Sequence, residues 1–176
     1  MKRIVLLFAA CLGACLLAGA QKRIPLLEKV PGHRVSCSYA YSLSKDGAPF
    51  SEVTSGSLEV EDNAFRLDAL GLRLLSDGTT RWTLDDEAKE AVVETVSRED
   101  LVTNPALLLS EYTRYGDQIT VNGSSDTSLD ITLELDSATR ARFVLKDIVF
   151  SAKQGKSDFS LEEKSLPKDY LVTDLR

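Results

Sequence analysis

Apolar residues recur at every second position through most of this chain. Between Val35 and Leu43, the residues Val35, Cys37, Tyr39, Tyr41 and Leu43 share one parity, and the serines and Ala40 take the other. That is the period of a strand with one buried face. Leu129, Ile131, Leu133 and Leu135 alternate with Asp130, Thr132, Glu134 and Asp136 in the cleanest run of all. The same period predicts strands over 56–62, 64–70, 72–75, 80–85, 90–96, 118–121, 141–150 and 158–163. Turn chemistry separates them at Lys45-Asp46-Gly47, at Asn63, at Ser76-Asp77-Gly78 and at the hairpin dipeptide Asn122-Gly123.

The period changes once. Ser97-Arg98-Glu99-Asp100 has the form of a weak capping box. Asn104-Pro105 is a stronger start signal, an N-cap followed by proline at the first helical position. The helix this predicts, 106–113, places Leu108 and Tyr112 on one face. Leu107, Leu108 and Leu109 are consecutive, so it is apolar over more than a narrow stripe and needs cover on more than one side. Short turns between strands favour antiparallel neighbours. The expectation is therefore a mainly β fold with a helical lid, a single curved sheet or unclosed antiparallel β-barrel of roughly nine to eleven strands.

The first twenty residues follow different rules. Lys2 and Arg3 precede an apolar run from Ile4 to Leu17, and Ala18-Gly19-Ala20 has the small-x-small form of a signal-peptidase site. This predicts a cleaved signal peptide over 1–20, a functional domain over 21–176 and export to the periplasm. Two other readings of the segment are an anchored N-terminal helix and lipidation at Cys15, since Leu12-Gly13-Ala14-Cys15 loosely resembles a lipobox. Cleavage after Ala20 also removes Cys11 and Cys15, leaving Cys37 alone and no internal disulfide.

Composition narrows the chemistry. With 176 residues, 21 Lys+Arg against 27 Asp+Glu and a net charge of −6, the chain lacks the basic excess of a dedicated nucleic-acid binder. One histidine, His33, and three cysteines leave little for a His/Cys metal site, and no cofactor is implied. A hydrolase would have to use His33 as its base, and no Ser or Cys sits in a nucleophile-elbow context. The acidic run Asp85-Asp86-Glu87 reads as a solvated turn in preference to a cation site. The balance leans away from an enzyme.

Several motifs then fall in a particular order: Ser55-Gly56-Ser57-Leu58, Ala64-Phe65-Arg66-Leu67, the hairpin from Leu74-Leu75-Ser76-Asp77-Gly78 through Trp82 to Asp85, and Asn104-Pro105 leading into Leu107-Leu108-Leu109. This order resembles the LolA-type periplasmic carriers of outer-membrane lipoproteins over roughly 24–115. The resemblance implies an unclosed β-barrel whose apolar side is covered by helices. It also implies a role in taking acylated lipoproteins from an inner-membrane exporter to an outer-membrane acceptor. Arg66 matches the arginine that latches the family's lid. The expected lipid cavity and lid then comprise Tyr39, Tyr41, Leu58, Val60, Leu74, Trp82, Leu108, Leu109 and Tyr112, in a monomer without catalytic residues. The alternation leaves a choice open: Arg66 lies on the opposite face from Phe65 and Leu67, and one side or the other points inward. The rival function is a non-shuttling lipid- or lipopeptide-binding sensory module on the same fold.

Overall fold

A computed structural model describes residues 23–97 and 104–176; the leader, Cys15 and the Arg98–Asp100 part of the capping box lie outside them. The elements run β1 (His33–Lys45), β2 (Ser51–Glu61), β3 (Ala64–Ala69), β4 (Leu72–Ser76), β5 (Thr80–Asp85), β6 (Glu90–Thr95), α1 (Pro105–Ser110), β7 (Ile119–Ser124), β8 (Leu129–Glu134), β9 (Thr139–Ala152) and β10 (Leu171–Asp174). All ten strands join one unclosed sheet in the order β10-β6-β5-β4-β3-β2-β1-β9-β8-β7. Every neighbouring pair is antiparallel except β10 on β6, which is parallel.

Register explains how one sheet makes two apolar clusters. Val35, Cys37, Tyr39 and Tyr41 of β1 stand opposite Val60, Leu58, Gly56 and Thr54 of β2. Val60 and Leu58 in turn stand opposite Phe65 and Leu67 of β3. Across β9 and β8 the same face carries Phe143, Leu145, Ile131 and Leu129. Over this face lie Ile24, Leu26, Leu27 and Val30 of the N-terminal segment together with α1 and Tyr112, all in one buried cluster. Beyond β4 the apolar parity reverses. Leu75, Trp82, Leu84, Ala91 and Val93 occupy the second face, and Leu161, Leu166, Tyr170 and Val172 pack on them. The C-terminal segment 153–170 thus covers the back of the sheet at one end, and the N-terminal segment and α1 cover the front at the other.

Close contacts fix parts of this arrangement. A Cβ on Gly56 would lie 1.9 Å from the Asp68 carbonyl oxygen, so only glycine lets β2 approach β3 there. In β9 the pairing slips between Ser36 and Ser38, with Asp147 at φ 55°, a bulge that returns Ile148 to the first face.

Three expectations need correction. Asn122-Gly123 forms no turn: it lies within β7 at a register slip, and the chain reverses at 125–128, where the Ser125 amide donates to the Ser128 carbonyl. Asn122 instead donates its side-chain amide to Asp130 and Thr132, so its polar group is spent across the strands. The 158–163 alternation forms 3₁₀ turns at Lys156–Phe159 and Glu163–Ser165, because Phe159 is drawn under the Arg34 guanidinium. α1 is also shorter than the expected 106–113 helix, giving way at Glu111 to a 3₁₀ run over Tyr112–Gln118.

Candidate functional site

The most apolar enclosed region lies between the first face and its cover. Leu107, Leu108 and Leu109 are all buried, as are Pro105 and Ala106, so α1 has no solvated face over most of its length. Six helical residues cannot sustain themselves by backbone bonding alone, and tertiary burial holds this helix in place. Asn104 does not cap it. Its side-chain amide donates to the Ser97 carbonyl at 3.2 Å, and its buried Oδ1 has no hydrogen-bond partner among the described residues. The polar link between the two parts of the cover is the Ile24 amide donating to the Tyr112 hydroxyl at 3.5 Å.

The same cluster is aromatic and aliphatic on β1 and β9. Phe143 stacks on Tyr41 with ring centroids 5.1 Å apart and tilts against Tyr39 at 6.3 Å. Burial, with small contributions from Tyr41 and Cys37, drives the Tyr39 hydroxyl well above its ordinary range. Burial likewise pushes the Cys37 thiol up to about 12, so it stays protonated and unreactive. At the edge of the cover a pocket of about 300 Å³ opens between Val30, Pro31, Asp62, Asn63, Ser110 and Glu111. It sits where the N-terminal segment, the β2–β3 turn and the end of α1 meet.

Seven expected site residues converge: Tyr39, Tyr41, Leu58, Val60, Leu108, Leu109 and Tyr112 belong to the one cluster, and Leu74 packs half-buried at its margin. Two do not. Trp82 faces the other way, because it stands opposite Leu75 and Val93 on the second face, where the C-terminal segment packs. Arg66 also faces away from α1. Phe65 and Leu67 take the inward parity, and the Arg66 guanidinium lies on the second face against Asp68 at 2.7 Å, with 44% of its side chain exposed. A latch at Arg66 would have to reach through the sheet.

The second face carries a polar feature that pattern alone does not reveal. Arg34 is 4% exposed and Glu61 2%. The Arg34 Nε donates to Glu61 at 2.9 Å, one Nη donates to Asp158 at 2.9 Å and the other to the Gly155 carbonyl at 2.8 Å. Glu61 also accepts the Gln154 and Gly155 amides at 3.0 and 2.9 Å. Burial alone would raise the Glu61 carboxyl; the two amides and Arg34 outweigh it and hold it below the usual carboxylate range. The Arg34 guanidinium lies 4.8 Å from the Phe159 ring centroid. Adjacent to Val35 and at the polar parity of its strand, Arg34 looks like an ordinary exposed residue in the sequence. What buries it is a segment more than a hundred positions away.

Other candidates resolve into structural roles. His33 is exposed at the start of β1, with Nδ1 2.8 Å from the Lys29 carbonyl. Asp85 accepts the Glu87 and Ala88 amides, and Asp86 pairs with Arg73 and Tyr170, so the acidic run builds its own turn. Lys29 pairs with Asp126 at 3.2 Å. Larger recesses of about 440 and 580 Å³ lie on the uncovered middle of the second face, walled by serines and by charged residues such as Glu59, Asp147, Arg142 and Lys146. Arg66 and Asp68 border the first of these recesses.

No protein-family model matches the chain, and no curated protein matches it. Among solved structures it is similar to an uncharacterized conserved protein from Thermus thermophilus, with 9% identity and a TM-score of 0.46 over 85% of this chain and 94% of that one.

Proposed function

We propose that this chain is an exported carrier that takes up the acyl chains of lipoproteins between α1 and the first face of the sheet, on a LolA-like half-barrel. One observation carries the reading: the part of the cover that meets the apolar face is itself apolar, with Pro105–Leu109, Ile24, Leu26, Leu27 and Val30 buried and its ion pair, Lys29 to Asp126, out at the surface. An inserted acyl chain replaces one set of apolar contacts with another, so opening loses few directional bonds. Each methylene shielded from water is worth about 0.8 kcal/mol, and roughly ten of them suffice for stable carriage.

The position of Arg66 favours a second reading. A carrier must unload, and release needs states of different affinity. With Arg66 paired to Asp68 on the far face, the release device implied by resemblance is missing, which suits a lipopeptide-binding module that does not shuttle.

Native mass spectrometry of the chain from residue 21, purified without detergent and incubated with a triacylated lipopeptide, tests the proposal. Acyl-mass adducts that weaken on Leu108→Trp, which fills the space without burying a charge, support a lipid site under α1. A bare mass in the folded protein overturns it. Transfer of bound lipopeptide to acceptor vesicles then separates carrier from sensor.

A further inference from the structure

The dipeptide Asn122-Gly123 reads as a turn and folds as strand. It lies in β7, the outermost strand of the sheet order beside β8. Val121 pairs with Ile131 and Gly123 with Asp130, so the register passes over Asn122, the extra residue of a bulge. Asn122 and Gly123 are both exposed.

The fold gives Gly123 no task. Its φ lies outside the left-handed region, and a Cβ there would meet nothing within 4 Å among the described residues. At Gly56, by contrast, a Cβ would run into the Asp68 carbonyl. What the missing Cβ does change at 123 is local: it leaves the amide nitrogen unhindered and the backbone free to bring that nitrogen to the preceding side chain.

We propose that Asn122 is a site of spontaneous deamidation, paced by opening of the sheet edge. The Gly123 amide nitrogen gives up its proton to base and attacks Cγ of Asn122. The new Cγ–N bond closes a succinimide ring, the Cγ–Nδ2 bond breaks, and Nδ2 leaves as ammonia with a proton from solvent. Water then opens the ring at either carbonyl, which gives aspartate or isoaspartate at 122. In the intact fold Nδ2 donates to the Asp130 carboxylate at 2.9 Å and to the Thr132 hydroxyl at 3.0 Å. These bonds hold the amide across to β8, so attack waits for the bulged edge to open locally. Conversion removes the donor and sets a new carboxylate against Asp130, whose oxygens already accept from Arg142. Like charges facing each other across paired strands destabilise the pairing. Isoaspartate adds a backbone methylene as well, which disturbs the alternation of β7. The product therefore loosens the outer strand from β8. The inference is independent of the carrier reading.

Two other asparagines serve as internal controls. Asn104 precedes Pro105, which has no N–H to attack. Asn63 precedes the buried Ala64 and accepts a bond from Lys156.

Incubation of the folded protein at mildly alkaline pH, followed by peptide mass spectrometry that separates aspartate from isoaspartate, tests this. The expected result is a gain of about one dalton in the peptide carrying residue 122, with Asn63 and Asn104 unchanged. The rate should rise with pH. Gly123→Ala, whose Cβ enters open space, should slow conversion about tenfold. Thr132→Val, which removes one restraining bond, should speed it severalfold. Hydrogen exchange on the converted protein should show lost protection in β7 and β8 and none lost between β1 and β2. Circular dichroism verifies that each variant is folded before its rate is read. Asn122 intact in the folded protein while the denatured protein converts overturns the proposal. So does Gly123→Ala or Thr132→Val converting at the parent rate, or unchanged exchange in β7 after conversion.

Discussion

The two covers of this sheet hold by different physics. Over β1–β3 and β7–β9, the N-terminal segment and α1 lie on an apolar face mainly by burial, with polar contacts at the margin from Ile24 to Tyr112, Asn104 to Ser97 and the exposed Lys29 to Asp126. On the back, the segment 153–170 is pinned by Arg34, Glu61 and Asp158 before its apolar residues reach Trp82. Apolar burial is non-directional and scales with area, so a cover held that way can shift and still be held. A buried ionic cluster is directional: its partners must be in place, or the charge left behind is costly. The first cover can shift without breaking a directional network, and the second cannot.

The sharpest way to break this contrast is at the ionic cover. Arg34→Met alone leaves Glu61 buried without its countercharge and should cost about 3–5 kcal/mol in urea unfolding. Arg34→Met with Glu61→Leu should cost much less than the single change. A double variant as unstable as the sum of its parts would mean that the cluster acts through packing and not through charge.

The apolar cover predicts a smaller loss and a different reporter. Leu108→Ala should destabilise by about 2–4 kcal/mol. Cys37 lies under the same cover, and its alkylation by a maleimide should speed up severalfold in that variant. Trp82 emission, at the other cover, should not move. If both reporters respond together, the two covers are one cooperative unit.

Alternation made most of the strands, the turns at Asp46-Gly47, Asn63 and Asp77-Gly78, and the shared parity of the apolar residues in β1 and β8 legible, because a period of two with one buried face is a local property; it misplaced the turn at Asn122-Gly123 and the strand at 158–163. It could not show which face, and that single choice decides Arg66 and Trp82. Parity places Arg66 opposite Phe65 and Leu67, as the sequence says; only the register through β2 and β1 shows that Val60 and Leu58 carry Phe65 and Leu67 to the α1 side. Trp82 then follows through β4, where Leu75, not Leu74, is its partner. The Arg34 cluster and β10 were illegible for another reason. Each depends on a C-terminal segment whose local alternation at 158–163 does not decide its structure, and whose position is set by the residues it meets.

Acid should loosen one cover before the other. Glu61 and Asp158 titrate below the ordinary carboxylate range in the folded chain: for Glu61 the opposing effect of burial is outweighed by the Gln154 and Gly155 amides and Arg34, and for Asp158 the bond from Arg34 dominates. Depressed folded values mean that their stabilisation is complete above the unfolded carboxylate pKa, about 4.3 for Glu and 3.9 for Asp, and is lost as pH falls through the folded values below that. Trp82 emission should therefore shift to the red below about pH 4 while Cys37 is still shielded under α1. Glu61→Gln should remove the carboxylate part of this transition. Loss of Cys37 shielding at or above the Trp82 transition would sink the separation.

The smallest expected effect is also the one that bears most on function. Arg66 pairs with Asp68 two positions along its own strand, partly solvated, an arrangement worth about 0–1 kcal/mol. Arg66→Leu should leave stability within that range and Cys37 alkylation unchanged, since the side chain lies on the far face from α1. A latch would behave otherwise: its loss would free the cover, speed Cys37 alkylation and trap bound lipopeptide. The substitution therefore separates a cover governed by burial from one governed by a polar bond, using a residue whose removal scarcely perturbs the fold. An unchanged alkylation rate would show that Arg66 does not hold the α1 cover in place.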